Sequence, residues 1–196
     1  MMNRRQALLA LTPAWPASTA WAHEGLGPIT PRSAPPTLAL TTSSGQATTL
    51  ADLLRGRWTA LQLMYTSCSS TCPVQGAVFA ALQRRLAQHR PPQETRLLAL
   101  LSVSISPLTD TPAALAAWLT RSGGDAKSPL PWRAAVPGPR HGDLLLDFLG
   151  ARRTGNDRHS GEVVFFDPQG RFAYRCADLA SAADLARLLV EQAKAG

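Results

Sequence analysis

The chain has 196 residues, of which 45% are hydrophobic and 17% are charged, so it is long enough to enclose one full hydrophobic core. Its net charge of +7 comes mostly from arginine. No run of basic residues alternates with aromatic residues, which argues against a nucleic-acid-binding surface. The basic charge would suit an acidic protein partner, but solubility explains it equally well.

The first 22 residues have the pattern of an export signal. Arg4 and Arg5 form a short basic start, an apolar stretch opens at residues 6–11, and residues 20–22 (AWA) match an A-x-A cleavage site. Cleavage there would leave residues 23–196 in an oxidising compartment, in the periplasm or otherwise exported. The alternative is an uncleaved signal that acts as a marginal membrane anchor.

The region after the signal contains a predicted tether and a predicted hairpin. Residues 23–36 are rich in proline and glycine and lack periodicity, which predicts a flexible tether before a domain at residues 37–196. Two short segments at residues 38–40 and 48–50 flank the turn sequence SSG at residues 43–45. This arrangement predicts an N-terminal β-hairpin.

Two cysteines lie at a predicted strand-to-helix turn. Residues 58–65 read as a buried strand, and the apolar positions that follow predict a helix from about Pro73 to Gln88. Pro73 suits the first helical position, and the helix dipole would favour a thiolate at Cys72 beside it. Because Cys68 lies one helical turn away, two low-pKa sulfurs could close a disulfide or share a soft metal ion.

The rest of the chain alternates between strand and helix patterns. Strands are predicted at residues 97–105, 132–136, 162–166 and 171–176, and helices at about residues 110–120, 141–149 and 181–194. This order predicts an α/β, thioredoxin-like fold of three layers, with helices on both faces of a central mixed sheet. The cysteine turn would then lie beyond the carboxyl end of a central strand, where ligands bind in open α/β sheets.

The cysteine pair alone allows several interpretations. A structural disulfide would close a very small loop and add little chain-entropy stabilisation. Zinc would need four ligands, and the sequence has no second cysteine pair. A redox-active or soft-metal dithiol fits best. His159, in a polar loop before a strand, would complete a three-coordinate set suited to Cu(I) and acceptable to Cu(II), although a lone histidine is more often an exposed side chain.

Four other residues are weaker candidates for a functional role. Cys176 fits a buried small apolar side chain, or else a leftover thiol that pairs between molecules or resolves a disulfide. His141 begins a predicted helix, where capping or exposure is commoner than metal ligation. His23 would chelate Cu(II) if it became the mature N-terminus. Asp110 fits a helix cap, as does the next residue, better than an acid catalyst.

Three motifs together resemble the Sco/SenC family of copper chaperones, which is associated with cytochrome c oxidase assembly. They are YTSCSSTCP at residues 65–73, SPLTDTP at residues 106–112, and DRHSGEVVFFDPQGRF at residues 157–172. The resemblance extends from about Leu38 onward. It implies a thioredoxin fold with copper held by Cys68, Cys72 and His159.

The sequence departs from the family pattern at two places. The family usually has an acidic residue between the cysteines, where this chain has SST at residues 69–71. The aspartate expected before the first proline of the second motif is Ser106. Both acidic groups lie near the metal site in the family, so their absence bears on copper binding and on partner docking.

Two functions follow from the resemblance and from the dithiol. The first is a metallochaperone, not an enzyme, that delivers copper to the binuclear copper centre of a cytochrome c oxidase, whose copper-binding subunit would be its partner. The second is a thiol–disulfide oxidoreductase that uses Cys68 and Cys72 to reduce the thiols of another exported protein. The first function requires His159 and the second does not.

Overall fold

The computed structural model describes residues 26–151 and 161–195, which form a sheet with helices on both faces. Its strands are β1 (Gly27–Ser33), β2 (Ala39–Thr42), β3 (Ala47–Thr49), β4 (Trp58–Met64), β5 (Leu98–Ser104), β6 (Trp132–Pro137), β7 (Val163–Phe166) and β8 (Phe172–Arg175). Its helices are α1 (Leu50–Leu54), α2 (Thr71–His89), α3 (Pro92–Thr95), α4 (Pro112–Arg121), α5 (Gly142–Phe148) and α6 (Ala182–Ala195).

The sheet is mixed, and its parallel strands lie at the centre. Across the described residues the strand order is β1-β8-β7-β4-β5-β6-β2-β3. Strands β4, β5 and β6 run parallel, whereas β7 runs antiparallel to β4 on the other side. Every residue of β4 and β5 is buried, because helices cover both faces of these strands. The carboxyl end of β4 therefore lies beside the amino end of β7.

Two hydrophobic clusters, one on each face of the sheet, make up the core. The first lies under α2, α4 and α6 and includes Phe79 and Trp118. The second lies under α1 and α5 and includes Leu54 and Leu145. Burial of apolar side chains in both clusters supplies the main driving force for folding. The predicted three layers of helix, sheet and helix are present.

The N-terminal part of the described chain confirms one prediction and corrects another. Strands β2 and β3 pair antiparallel as the predicted hairpin, with Ala39 opposite Thr49. The predicted tether is wrong for Gly27–Ser33, because these residues form β1 and pair antiparallel with β8. Proline cannot donate to a β-ladder, but β1 is an edge strand, where an unused donor position costs nothing.

The predicted export signal at residues 1–22 lies outside the described residues, as does His23. Among the helices that the structure describes, none combines the length and the apolar character needed to cross a bilayer.

Candidate functional site

The cysteine turn, residues 65–72, connects the carboxyl end of β4 to the first turn of α2. The backbone N–H of Cys68 donates to the carbonyl of Tyr65 at 3.2 Å, which folds the chain back before the helix. Helix α2 begins at Thr71 and not at the predicted Pro73, so Cys72 lies inside its first turn. Pro73 still lies in that turn, where a backbone N–H has no partner within the helix.

The structure brings the two cysteines together. The backbone N–H of Cys72 donates to Cys68 Sγ at 3.4 Å, and the Cys72 thiol is also hydrogen-bonded to the Cys68 sulfur. Cys68 Sγ and Ser70 Oγ are 3.8 Å apart. Both cysteines are thiols, and their exposed fractions are 8% and 4%. The sulfurs therefore lie just beneath the surface, close enough to react as a pair.

The two thiols have opposite pKa shifts. Burial alone would raise the pKa of Cys68, but hydrogen bonds from the thiol and backbone of Cys72 and from Ser70 outweigh it and lower the pKa to about 6. Burial raises the pKa of Cys72 to about 12, with the hydrogen bond to Cys68 and the Cys68 charge acting in the same direction. The prediction of a thiolate at Cys72 is therefore wrong, because the backbone N–H at the helix start serves Cys68. At neutral pH, Cys68 is a nucleophile and Cys72 keeps its proton.

Asp110 fixes the start of the cysteine turn. Its carboxyl group accepts hydrogen bonds from the Thr66 backbone N–H at 3.0 Å, the Thr66 hydroxyl at 2.6 Å and the Ser104 hydroxyl at 2.7 Å. The cap of α4 is instead Thr111, whose hydroxyl accepts from the Ala114 backbone N–H at 3.2 Å. Asp110 therefore ties the turn after β4 to the end of β5, a role that its position before a helix did not reveal.

The amino end of β7 lies against α2, one turn beyond Cys72. The Gln75 side-chain amide donates to the Glu162 carbonyl at 3.3 Å, and Val163 pairs with Gln62 near the end of β4. Residues 161–162 therefore lie at the same edge of the sheet as the cysteine turn. Gln75 is only 2% exposed on the buried face of α2, and the sequence pattern did not identify this contact because the partner of Gln75 lies 87 residues later in the chain.

Arg175 contacts residues before and after the segment 152–160, which lies outside the described residues. Its guanidinium pairs with the Glu162 carboxylate at 2.6 Å, and it also donates to the carbonyl of Leu149. The ends of the segment that carries His159 are thereby joined to β8. The predicted ligand His159 itself lies outside the described residues.

The structure accounts for the other two described candidates without metal ligation. Cys176 is 1% exposed in the same hydrophobic cluster as Cys68 and Cys72, and burial raises its pKa to about 12. His141 precedes α5, and its Nδ1 accepts the backbone N–H of Ala39 at 3.1 Å, which joins α5 to the hairpin. Within residues 26–151 and 161–195, no group of three His, Cys, Asp or Glu side chains could hold a metal ion.

The sequence model of the SCO1/SenC family matches residues 31–128, half of the chain. The chain belongs to the SCO1/SenC family. The matched range of this SCO1/SenC protein contains Cys68, Cys72 and Asp110, and it ends before residue 159. A search of curated proteins found no match.

Solved structures of the Sco family share the fold of this SCO1/SenC protein. Yeast Sco1 superposes with a TM-score of 0.68 at 17% identity, over 83% of this chain and 99% of that chain. Arabidopsis thaliana ScoI with copper bound has a TM-score of 0.67 at 16% identity, covering 84% and 100%. BsSco, a Sco-family cytochrome c oxidase assembly protein with a disulfide switch, has a TM-score of 0.67 at 15% identity, covering 86% and 97%. The predicted thioredoxin-like α/β fold is confirmed.

Three apolar side chains of this SCO1/SenC protein are exposed on segments that adjoin the cysteine turn in sequence or are hydrogen-bonded to residues described above. Val74, in the first turn of α2, is 54% exposed, and Leu108, in the turn that ends at Asp110, is 84% exposed. Leu179 is 53% exposed, has a φ of 50° and donates its backbone N–H to the Gly161 carbonyl.

The reactivity of Cys68 should follow its lowered pKa. We expect iodoacetamide to alkylate Cys68 at a rate that rises as the pH passes through about 6 and then levels off, because the thiolate is the reactive form. Cys72 and Cys176, whose pKa values are raised to about 12, should react slowly throughout. Mass spectrometry of the labelled peptides, with Cys68→Ser as the control, measures each rate. A pH profile of Cys68 alkylation with its midpoint at about pH 8.5, the pKa of an unperturbed thiol, would contradict this prediction.

Proposed function

We propose that this protein is an exported copper metallochaperone that delivers copper to the binuclear copper centre of a cytochrome c oxidase. Cys68, Cys72 and His159 would hold the copper ion as cargo. The observation that carries the proposal is the pair of hydrogen-bonded sulfurs on the cysteine turn, one of which is already a thiolate at neutral pH. The copper-bound state of Arabidopsis thaliana ScoI supports the choice of metal.

The donor set fits copper. Soft thiolate ligands select Cu(I), and an added imidazole makes the set acceptable to Cu(II). Cys72 would lose its proton when the metal binds, because thiolates and not thiols are ligands. His159 is two residues before Gly161 in the sequence. Since Gly161 lies at the edge of the sheet that carries the cysteine turn, this short separation supports His159 as the third ligand.

The partner would be a protein. Val74, two residues after Cys72, and Leu108, two residues before Asp110, expose apolar side chains that such a partner could contact, and BsSco belongs to a family of cytochrome c oxidase assembly proteins. The recipient we propose is the copper-binding subunit of such an oxidase or another exported thiol protein. The signal pattern at residues 1–22 supports a location in the periplasm, or export with an uncleaved anchor that keeps the protein near the membrane.

The opposite pKa shifts favour thiol–disulfide exchange as the second candidate function. The Cys68 thiolate would attack a partner disulfide and release one partner thiolate, which leaves a mixed disulfide. Cys72, after losing its proton, would attack the Cys68 sulfur and release the second partner sulfur. The partner gains two electrons, and the chaperone dithiol becomes a disulfide. The disulfide switch of BsSco supports this candidate.

Replacement of His159 separates the two functions. We expect the reduced protein to bind Cu(II) under anaerobic conditions with strong sulfur-to-copper charge-transfer bands, and His159→Ala to abolish them, since Cu(II) needs the imidazole. The redox activity of the Cys68–Cys72 dithiol should be unchanged in this variant. Absorption spectra and metal analysis measure copper, and thiol titration measures the dithiol.

His141→Ala is the matched control, because it removes an imidazole that contacts the Ala39 backbone and not the cysteine turn. It should bind Cu(II) as the unaltered protein does. Full Cu(II) binding by His159→Ala would overturn the ligand assignment. Rapid formation of a Cys68–Cys72 disulfide without charge-transfer bands in the unaltered protein would favour the oxidoreductase.

A further inference from the structure

A cleft of about 110 Å³ opens beside Cys68, between the cysteine turn and the end of α4. Thr66, Cys68 and Pro73 line it from the turn and the start of α2. Trp118, Arg121 and Ser122 line it from α4. The cleft is too small for a drug-sized ligand, whose pockets occupy roughly 300–1,000 Å³, but it has room for one side chain of a protein partner.

The two helices that border the cleft are in close contact just beyond it. A Cβ added at Gly76 of α2 would lie 2.6 Å from Ser122 Oγ and 3.2 Å from the ring of Trp118. Only glycine therefore permits this approach of α2 to α4. Because Trp118 is buried and α2 packs this closely on α4, the α4 wall of the cleft lies against the helix that begins at the cysteine turn.

Arg121 gives the cleft a positive wall. Among residues 26–151 and 161–195, no acidic side chain lines the cleft and none forms an ion pair with Arg121. Its position in the last turn of α4 is favourable, because the helix dipole stabilises a cation there. The side chain of Arg121 is exposed, so an anion can reach it from solvent.

We propose that this cleft binds a carboxylate of the partner segment that exchanges with Cys68, with Arg121 as the anion-binding group. The proposal rests on the proposed exchange between the dithiol and an exported thiol protein, and it adds that the partner carries an acidic side chain beside its reactive sulfur. Arginine suits this task, because its planar guanidinium holds a carboxylate through two parallel hydrogen bonds.

The contact would orient the partner for exchange. The Cys68 thiolate attacks one sulfur of the partner disulfide, that S–S bond breaks, and its electron pair leaves with the second sulfur as a thiolate. A new S–S bond joins Cys68 to the partner. A carboxylate held by Arg121 would keep the attacked sulfur in reach of Cys68, so acidic disulfides should react faster than neutral ones.

The test compares two small disulfides as probes of the reduced full-length protein. Oxidised glutathione carries carboxylates, and bis(2-hydroxyethyl) disulfide carries none. We expect Arg121→Gln to slow the reaction of Cys68 with oxidised glutathione by about tenfold, the effect of losing one charge-assisted contact. The rate with bis(2-hydroxyethyl) disulfide should change less than about twofold, and Arg121→Lys should keep part of the glutathione rate. Mass spectrometry of alkylation-quenched samples measures the mixed disulfide.

Arg133→Gln is the matched control, because it removes the same charge from an exposed position on β6 outside the cleft. It should leave both rates unchanged. An equal loss with both disulfides in Arg121→Gln would overturn the proposal, since Arg121 would then act on Cys68 itself. Unchanged rates with both would also overturn it while leaving the dithiol function intact. If neither disulfide reacted with Cys68 in the unaltered protein, the proposal and the proposed exchange would fail together.

Discussion

Replacing Cys72 with alanine is expected to abolish copper binding and the Cys68–Cys72 disulfide, and to raise the pKa of the Cys68 thiol. The Cys72 thiol is the first of the hydrogen-bond donors that lower the Cys68 pKa to about 6. Without it, burial of Cys68 opposes the thiolate more effectively. The copper content should fall from one ion per chain to none. Metal analysis, thiol titration and the pH profile of Cys68 alkylation measure the three effects.

Cys176→Ala is the matched control, since it also removes one buried sulfur from the same hydrophobic cluster. It should keep copper, the disulfide and the alkylation profile of Cys68. Cys72→Ser sharpens the comparison, because a hydroxyl can still donate to Cys68 but cannot form a disulfide. Its Cys68 pKa should lie closer to about 6 than that of Cys72→Ala. Copper retained by Cys72→Ala would show that the ligand pair is misassigned.

The central strands and the longer helices could be predicted from local patterns of apolar residues. Strands β4 and β5 are unbroken runs of buried residues, and β2 and β3 flank a turn that contains Gly45. Such patterns depend only on which face of an element is buried. Strand β1 could not be predicted in this way, because its prolines argue against a strand except at a sheet edge. Only its pairing with β8 places it at such an edge.

The site could be predicted only in part. The spacing of Cys68 and Cys72 predicted that their sulfurs meet, and they do. Which of the two sulfurs ionises depends on the backbone conformation of residues 69–71, because that conformation lets the Cys72 backbone N–H donate to Cys68 Sγ. Asp110 was beyond prediction for a similar reason: its partner Thr66 lies 44 residues earlier in the chain. A hydrogen bond between distant segments leaves no periodic signal in the sequence.

Replacing Asp110 with alanine is expected to lower the free energy of unfolding by about 2–4 kcal/mol. The side chain is 6% exposed and accepts three hydrogen bonds from Thr66 and Ser104. Alanine would leave the two hydroxyls and the Thr66 backbone N–H without that partner. The loss should be smaller than the sum for three buried bonds, because Thr66 is only half-buried and water can reach it. Urea unfolding monitored by tryptophan fluorescence measures it.

The same substitution should also loosen the cysteine turn. Thr66 precedes Cys68 by two residues, and Asp110 holds both its backbone and its hydroxyl. Once released, the turn should hold the Cys68 sulfur less firmly against the backbone N–H of Cys72. We therefore expect Asp110→Ala to weaken copper binding and to shift the Cys68 alkylation profile toward higher pH, in folded protein at low temperature.

Two variants separate this role from helix capping. Thr111→Ala removes the hydroxyl that caps α4 and should cost about 1 kcal/mol without changing the reactivity of Cys68. Asp110→Asn keeps the shape of the side chain and one acceptor oxygen, so its loss of stability should be intermediate. If Asp110→Ala cost no more than Thr111→Ala and left Cys68 unchanged, Asp110 would be a helix-terminal residue only. The Tyr65–Cys68 and Cys68–Cys72 hydrogen bonds would then contribute more than Asp110 to the conformation of the cysteine turn.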